Sequence, residues 1–271
     1  MSYKTILVHV EASELAESCI ETAARLAIRE QAHLIGASMT GISRFVDNEQ
    51  RAVFKREINA LTDKAHQSLE AFQAICERAG LASYEGRLID DDAAAGLVSQ
   101  APYCDLIMLG RPAASPLQLA SDSAEYVMLH AARPVLALPA QHRFDLAGAP
   151  ILVAWNGSPE AARAATFALP LLKMSEKVTV ALFQPRGSGE SEEQDMLDVA
   201  SWLARHGVKT EVVQNWSEKD AAEAMLALAA ERHAGLLVMG GYGHPRVREM
   251  MLGGVTHKVL RKAVIPLFLA H

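Results

Sequence analysis

Short, uniformly apolar runs recur along the chain, and the stretches between them carry apolar residues at helical spacing. The runs fall at about 4–10, 33–39, 82–88, 105–110 and 134–138, then at about 150–155, 177–183, 209–214, 235–240 and 265–270. A run such as Leu236 to Met239 is apolar at every position rather than at alternate ones. That predicts a strand covered on both faces, as in a parallel sheet. The periodic stretches predict helices at about 14–30, 48–79, 92–101, 120–131, 158–173, 191–206, 218–231 and 253–263. Polar residues mark several helix starts: Ser13 before Glu14, Ser158 before Pro159 and Glu160, and Ser217 before Glu218. A hydroxyl there accepts a free N–H of the first turn, and proline fits the first helical position because no bond is lost. Strands alternating with helices give an α/β chain of parallel sheets joined by right-handed crossovers.

The pattern occurs twice. Lys4 to Val10 with Glu11-Ala12-Ser13 aligns with Ala149 to Trp155 with Asn156-Gly157-Ser158, and each opens a half. Pro134 to Pro139 aligns with Pro266 to Ala270, and each closes one. Five predicted strands fall in each half, so the expected domains are 1–140 and 149–271. Gln141 to Pro150 is polar and bears proline and glycine, as a boundary should. The halves differ in their second helical segment. The first has a long charged stretch from Asp47 to Gly80, whereas the second has the acidic segment Gln184 to Glu193 and then a shorter helix. That segment is read as a loop, either a lid or a solvated surface.

The stretch Leu236 to Thr256 carries the chemistry. A strand runs into Gly240, Gly241 and Gly243, and ten residues later Gly253 and Gly254 precede an amphipathic helix. Its apolar face holds Val255, Val259, Leu260 and Ala263, and its polar face holds His257, Lys258, Arg261 and Lys262. A strand, a glycine turn and a helix N-terminus fronted by glycine suit an anion, because unpaired N–H groups and the helix dipole converge there. The same pattern also serves a tight strand-to-helix connection with no ligand.

The spacing of Gly240, Gly243 and Gly253, continued through Val255 and Thr256, resembles the nucleotide-binding motif of the universal stress protein family. The resemblance runs over nearly the whole chain and is sharpest from Leu236 to His271. It implies two Rossmann-like, adenine nucleotide alpha hydrolase-like domains. Each would be a five-stranded parallel sheet flanked by helices. In that fold the strand order reverses between the first and fourth strands, which implies a crevice between the loops after 150–155 and after 235–240. The implied ligand is an adenine nucleotide, ATP, ADP or AMP, alone or with Mg. The implied binding residues are Asn156, Ser158, Phe183, Met239, Gly240, Gly243, His244, Gly253, Gly254, Val255 and Thr256.

Several of these positions carry alternatives. Asn156 stands where the family usually has an Asp that contacts the nucleoside; it still donates and accepts hydrogen bonds but cannot act as a carboxylate base. Ser158 is read first as a helix cap. Phe183 either stacks on adenine or packs as core. Gly254 stands where nucleotide binders usually have Ser or Thr, so that hydroxyl is missing and Thr256 is the nearest replacement. His244, Arg246 and Arg248 are near the expected phosphates in sequence, or are plain connector residues.

The first half lacks the pattern. Arg111 to Ser115 replaces the glycine turn after Gly110, Glu11 replaces the family Asp, and Ser121 and Asp122 stand where Gly253 and Gly254 do. A carboxylate at a helix N-terminus satisfies the dipole and repels phosphate. The first domain is therefore read as degenerate. The family's paired domains meet through their last strands, which implies an intrachain pseudo-dimer pairing 134–138 with 265–270 and leaves a further homodimer open.

Composition narrows the function. Half of the 271 residues are apolar, enough for sizeable cores. A net charge of -6, with no run of lysine and arginine, argues against nucleic acid as a partner. No apolar stretch approaches the roughly 18 residues of a membrane span, and Met1 to Val10 enters a strand directly, so neither membrane nor leader is expected. Cys19, Cys76 and Cys104 are odd in number with no C-x-x-C pair, which predicts free thiols in a reducing cytoplasm. No phosphate-binding loop with its lysine, no nucleophile elbow and no paired histidines occur. The expected role is regulatory nucleotide binding in the stress response, with at most slow hydrolysis. A stress-response interaction protein whose site has decayed is the alternative, and an enzyme acting on an adenylate-like substrate ranks below both.

Overall fold

A computed structural model describes residues 2–42, 54–111, 121–139, 144–184, 191–216, 220–242 and 254–271. The chain divides into two compact units, one of Tyr3–Pro112 with Asp122–Arg143 and one holding Phe144–His271.

The first unit runs β1 (Thr5–His9), α1 (Glu14–Glu30), β2 (His33–Met39), α2 (Lys55–Ala79), β3 (Tyr84–Ile89), α3 (Ala93–Gln100), a short 3-10 turn (Ala101–Tyr103), β4 (Leu106–Arg111), α4 (Ser121–His130) and β5 (Val135–Pro139). Its strands pair in parallel in the order β3-β2-β1-β4-β5. The second unit repeats this with β6 (Ile151–Trp155), α5 (Pro159–Met174), β7 (Val178–Gln184), α6 (Ser191–Arg205), β8 (Thr210–Trp216), α7 (Ala221–Glu231), β9 (Leu236–Gly240), α8 (Val255–Lys262) and β10 (Leu267–Ala270). Its strands pair in parallel in the order β10-β9-β6-β7-β8.

Helices cover both faces of each sheet, which is why the central strands are apolar throughout. Ile6, Leu7 and Val8 of β1 and Leu237 and Val238 of β9 are fully buried. Hydroxyl caps open α1 and α5: Ser13 and Ser158 accept the Ala16 and Ala161 N–H groups, each at 3.1 Å.

One expected boundary moves. Helix α7 starts at Ala221 with Asp220 as its cap, rather than after Ser217. The Asp220 carboxylate accepts the Ala222 N–H at 3.0 Å and also pairs with Lys258 of α8 at 2.6 Å, a tertiary partner invisible in the local pattern. Gln184 ends β7 and α6 begins at Ser191, where its helical spacing places it; residues 185–190 of the acidic segment lie outside the described residues. The long helix of the first unit is described from Lys55 onward; its expected part from residue 48 to 53 lies outside the described residues.

Candidate functional site

Strands β6 and β9 are neighbours, with β7 and β8 beyond one and β10 beyond the other. This is where the strand order reverses, and crossovers leaving in opposite directions open a crevice beyond the strand ends.

After β6 the chain makes a tight turn. Asn156 Oδ1 accepts the Ser158 N–H at 3.1 Å, Gly157 takes φ 71°, and Ser158 caps α5. An Asx turn running into a cap satisfies the local N–H groups without reaching for distant partners. After β9 the chain is held on two sides. The Gly241 N–H donates to Ala270 O at 2.8 Å, and the Tyr242 N–H donates to Thr256 Oγ1 at 3.3 Å. Tyr242 adopts φ 58°, a left-handed conformation uncommon outside glycine.

Gly240 explains why this junction is so close. A Cβ there would lie 2.5 Å from Ala161 N and 2.6 Å from the Glu160 carbonyl carbon. The first turn of α5 packs directly on the end of β9. The sequence reading left this glycine either to an anion site or to a tight strand-to-helix connection with no ligand. The approach is made by the protein's own backbone.

Helix α8 begins after Gly254, which has φ -49°, ψ 168° and no side-chain cap. The first N–H groups of a helix have no acceptor within it. Thr256 is buried, with its Oγ1 tied to Tyr242. Ion pairs hold α8 to α7, Lys258 to Asp220 at 2.6 Å and Lys262 to Glu223 at 3.2 Å. The Lys258 ammonium, aided by the cap bond, holds the Asp220 carboxyl below its ordinary value, against a smaller opposing effect of burial.

A pocket of about 170 Å³ lies at this junction. Six residues named from the sequence line it together: Asn156, Phe183, Met239, Gly240, Val255 and Thr256. Ser158 does not line it, since its hydroxyl serves the cap, and Gly254 fronts α8 without lining it. Gly243, His244 and Gly253 lie outside the described residues, as do Arg246 and Arg248. The sequence reading missed Tyr242, and it missed Ala221 and Met225 of α7. Tyr242 was within reach, between two motif glycines. Ala221 and Met225, four residues apart, show a helical stripe, but nothing in the sequence says which site that stripe faces.

The matching junction of the first unit is built differently. A Cβ at Gly110 would lie 2.7 Å from Leu15 Cγ, so this glycine too admits a packed neighbour. Arg111 ends β4 and is buried, and burial pushes its guanidinium down to about 10. Glu11 accepts the Ser13 hydroxyl at 2.9 Å and so is engaged within its own turn. Burial also lowers the His9 imidazole, with Glu11 opposing. Among the described residues of either unit, no group of three or more His, Cys, Asp and Glu is placed to hold a metal ion.

The sequence profile described as the universal stress protein family matches residues 149–271. No curated protein matches the chain. Among solved structures, a universal stress protein from Archaeoglobus fulgidus is similar with a TM-score of 0.77 at 18% identity, covering 98% of this chain and 95% of that one. A functionally unknown protein from Pseudomonas aeruginosa is similar with a TM-score of 0.62 at 15% identity, covering 99% and 92%. At these identities the likeness is one of fold, and it spans both halves of the chain.

Proposed function

Residues 149–271 belong to the universal stress protein family, and from that premise we propose that the second unit binds an adenine nucleotide as a regulatory ligand of the stress response. One observation carries the reading: six residues named from the motif and its partner loops line a single pocket where the strand order reverses. The pocket's size refines it. About 170 Å³ is below the roughly 300–1,000 Å³ usual for a drug-sized ligand. The pocket therefore takes the base and part of the ribose, and the phosphates lie at its mouth, before the uncapped N-terminus of α8. Phe183 offers the base an aromatic surface, and Asn156 offers an amide for a polar edge.

The reading is regulatory because the pocket's described lining has no carboxylate, histidine or lysine to activate water. The first unit, with Arg111 in place of a glycine turn, takes no nucleotide in this proposal.

Calorimetric titration of the full chain with ATP, ADP and AMP tests it, together with mass spectrometry of any nucleotide released on denaturation. One nucleotide per chain is expected, and Gly243→Val should abolish binding while leaving the far-ultraviolet circular dichroism unchanged. Two equivalent sites per chain, or undiminished binding by the folded variant, would sink the reading. A chain that releases no nucleotide and shows no heat with any of the three would favour the interaction protein with a decayed site.

A further inference from the structure

A second pocket, of about 420 Å³, lies beside the loop after β6, between α5 and α6. Its chemistry is unlike that of the first. Helix α6 contributes Asp195, Asp198, Val199 and Trp202, at i, i+3, i+4 and i+7, so they form one stripe of the helix. Opposite them, α5 contributes the small residues Ala162 and Thr166, and β6 contributes Trp155. Two indoles and two carboxylates thus share one concave space, and among the described residues no lysine or arginine lines it.

Among the described residues no cation pairs with either carboxylate. Asp198 Oδ1 accepts a neutral amide, Gln194 Nε2, at 3.0 Å. Asp195 makes no hydrogen bond or ion pair among the described residues; a Cβ added at Gly157 would stand 3.7 Å from Asp195 Oδ2. Two carboxylates one helical turn apart repel an anion, which disfavours nucleotide phosphates here. Aromatic faces and carboxylates together attract an organic cation.

We propose that this pocket binds a small organic ammonium ion. The ammonium group sits between the indoles and the Asp195 and Asp198 carboxylates. The volume falls within the range of small-molecule sites. The site goes beyond the nucleotide reading and does not depend on it, although Trp155 lines both pockets.

Choline is the probe, titrated calorimetrically into nucleotide-free full-length protein, with its neutral isostere 3,3-dimethylbutan-1-ol as the control. Choline should bind saturably, one per chain, with a dissociation constant below about 10 mM, and the neutral alcohol should give no saturable heat. Trp202→Leu should weaken choline about fivefold and Trp202→Phe less. Asp195→Asn, at an exposed position with no partner among the described residues, should keep the fold, weaken choline about fivefold and reduce the salt dependence. The proposal is overturned if choline gives no saturable heat, if the neutral alcohol binds as well as choline, or if Asp195→Asn leaves the affinity unchanged.

Discussion

Gly240 and Gly254 were read from the sequence as members of one motif, yet they meet different physical demands. At Gly240 the demand is space, because backbone atoms of Glu160 and Ala161 stand where a Cβ would go. Backbone cannot step aside as a side chain can, so Gly240→Ala must part β9 from α5. Overpacking of this kind costs about 1–3 kcal/mol, read as a lower urea midpoint at unchanged slope. An unchanged midpoint would mean that the contact yields freely. At Gly254 the demand is weaker. Its φ of -49° and ψ of 168° are open to any residue and suit a helix cap. Serine there can accept an N–H of α8 and still donate its proton to a phosphate. Gly254→Ser should tighten ATP about fivefold, and AMP less, because the hydroxyl faces the outer phosphates. Equal changes for both nucleotides would place the phosphates elsewhere.

At the scale of elements, α7 and α8 form a unit through charge. Asp220 caps α7 and pairs with Lys258. The two roles separate by mutation. Asp220→Asn keeps an acceptor for the Ala222 N–H and loses the ion pair, which at this exposure is worth roughly 0.2–1 kcal/mol. Asp220→Ala loses both, adding about 1 kcal/mol for the cap. The pH dependence has a definite sign. The folded carboxyl titrates below its ordinary value of 3.8, so its contribution is present above that value and is lost as pH falls through the folded one. Unfolding curves from pH 6 to pH 2.5 should therefore show Asp220→Asn losing less stability on the acid side than wild type. Parallel curves would mean that the pair adds nothing.

At the scale of the molecule, the two units share a fold and differ in what their surfaces and interiors offer. All three cysteines lie in the first unit and are buried. Burial is the main cause that pushes the Cys19 and Cys104 thiols up to about 12 and Cys76 to about 11. The thiolate is the reactive species, so a disulfide reagent at pH 8 should find no fast-reacting thiol in the native chain and three after unfolding in guanidinium. A thiol that reacts at once in the native state would refute that burial. Because labelling needs opening, its slow rate also measures how often the first unit opens. No helix among the described residues is long and apolar enough to cross a membrane.

The strands, their order along the chain and the duplication were legible in the sequence because each depends on a local pattern. A strand buried on both faces must be apolar at every position, and Leu236 to Met239 shows that without any partner in view. The glycine spacing was legible for a similar reason: a turn constrains residues that are adjacent in the chain. Only the tertiary structure decided which side chains from distant elements share a space. It placed Ala221 and Met225 of α7 beside Phe183 of β7, moved the start of α7 to the residue that meets Lys258, and gave Gly240 the backbone of α5 as its neighbour. It also brought Trp155 to Asp195, Asp198 and Trp202 across forty residues of sequence. A helical stripe fixes which residues face the same way, but what they face is set by the packing of the whole unit, and that is where the chemistry of both pockets arises.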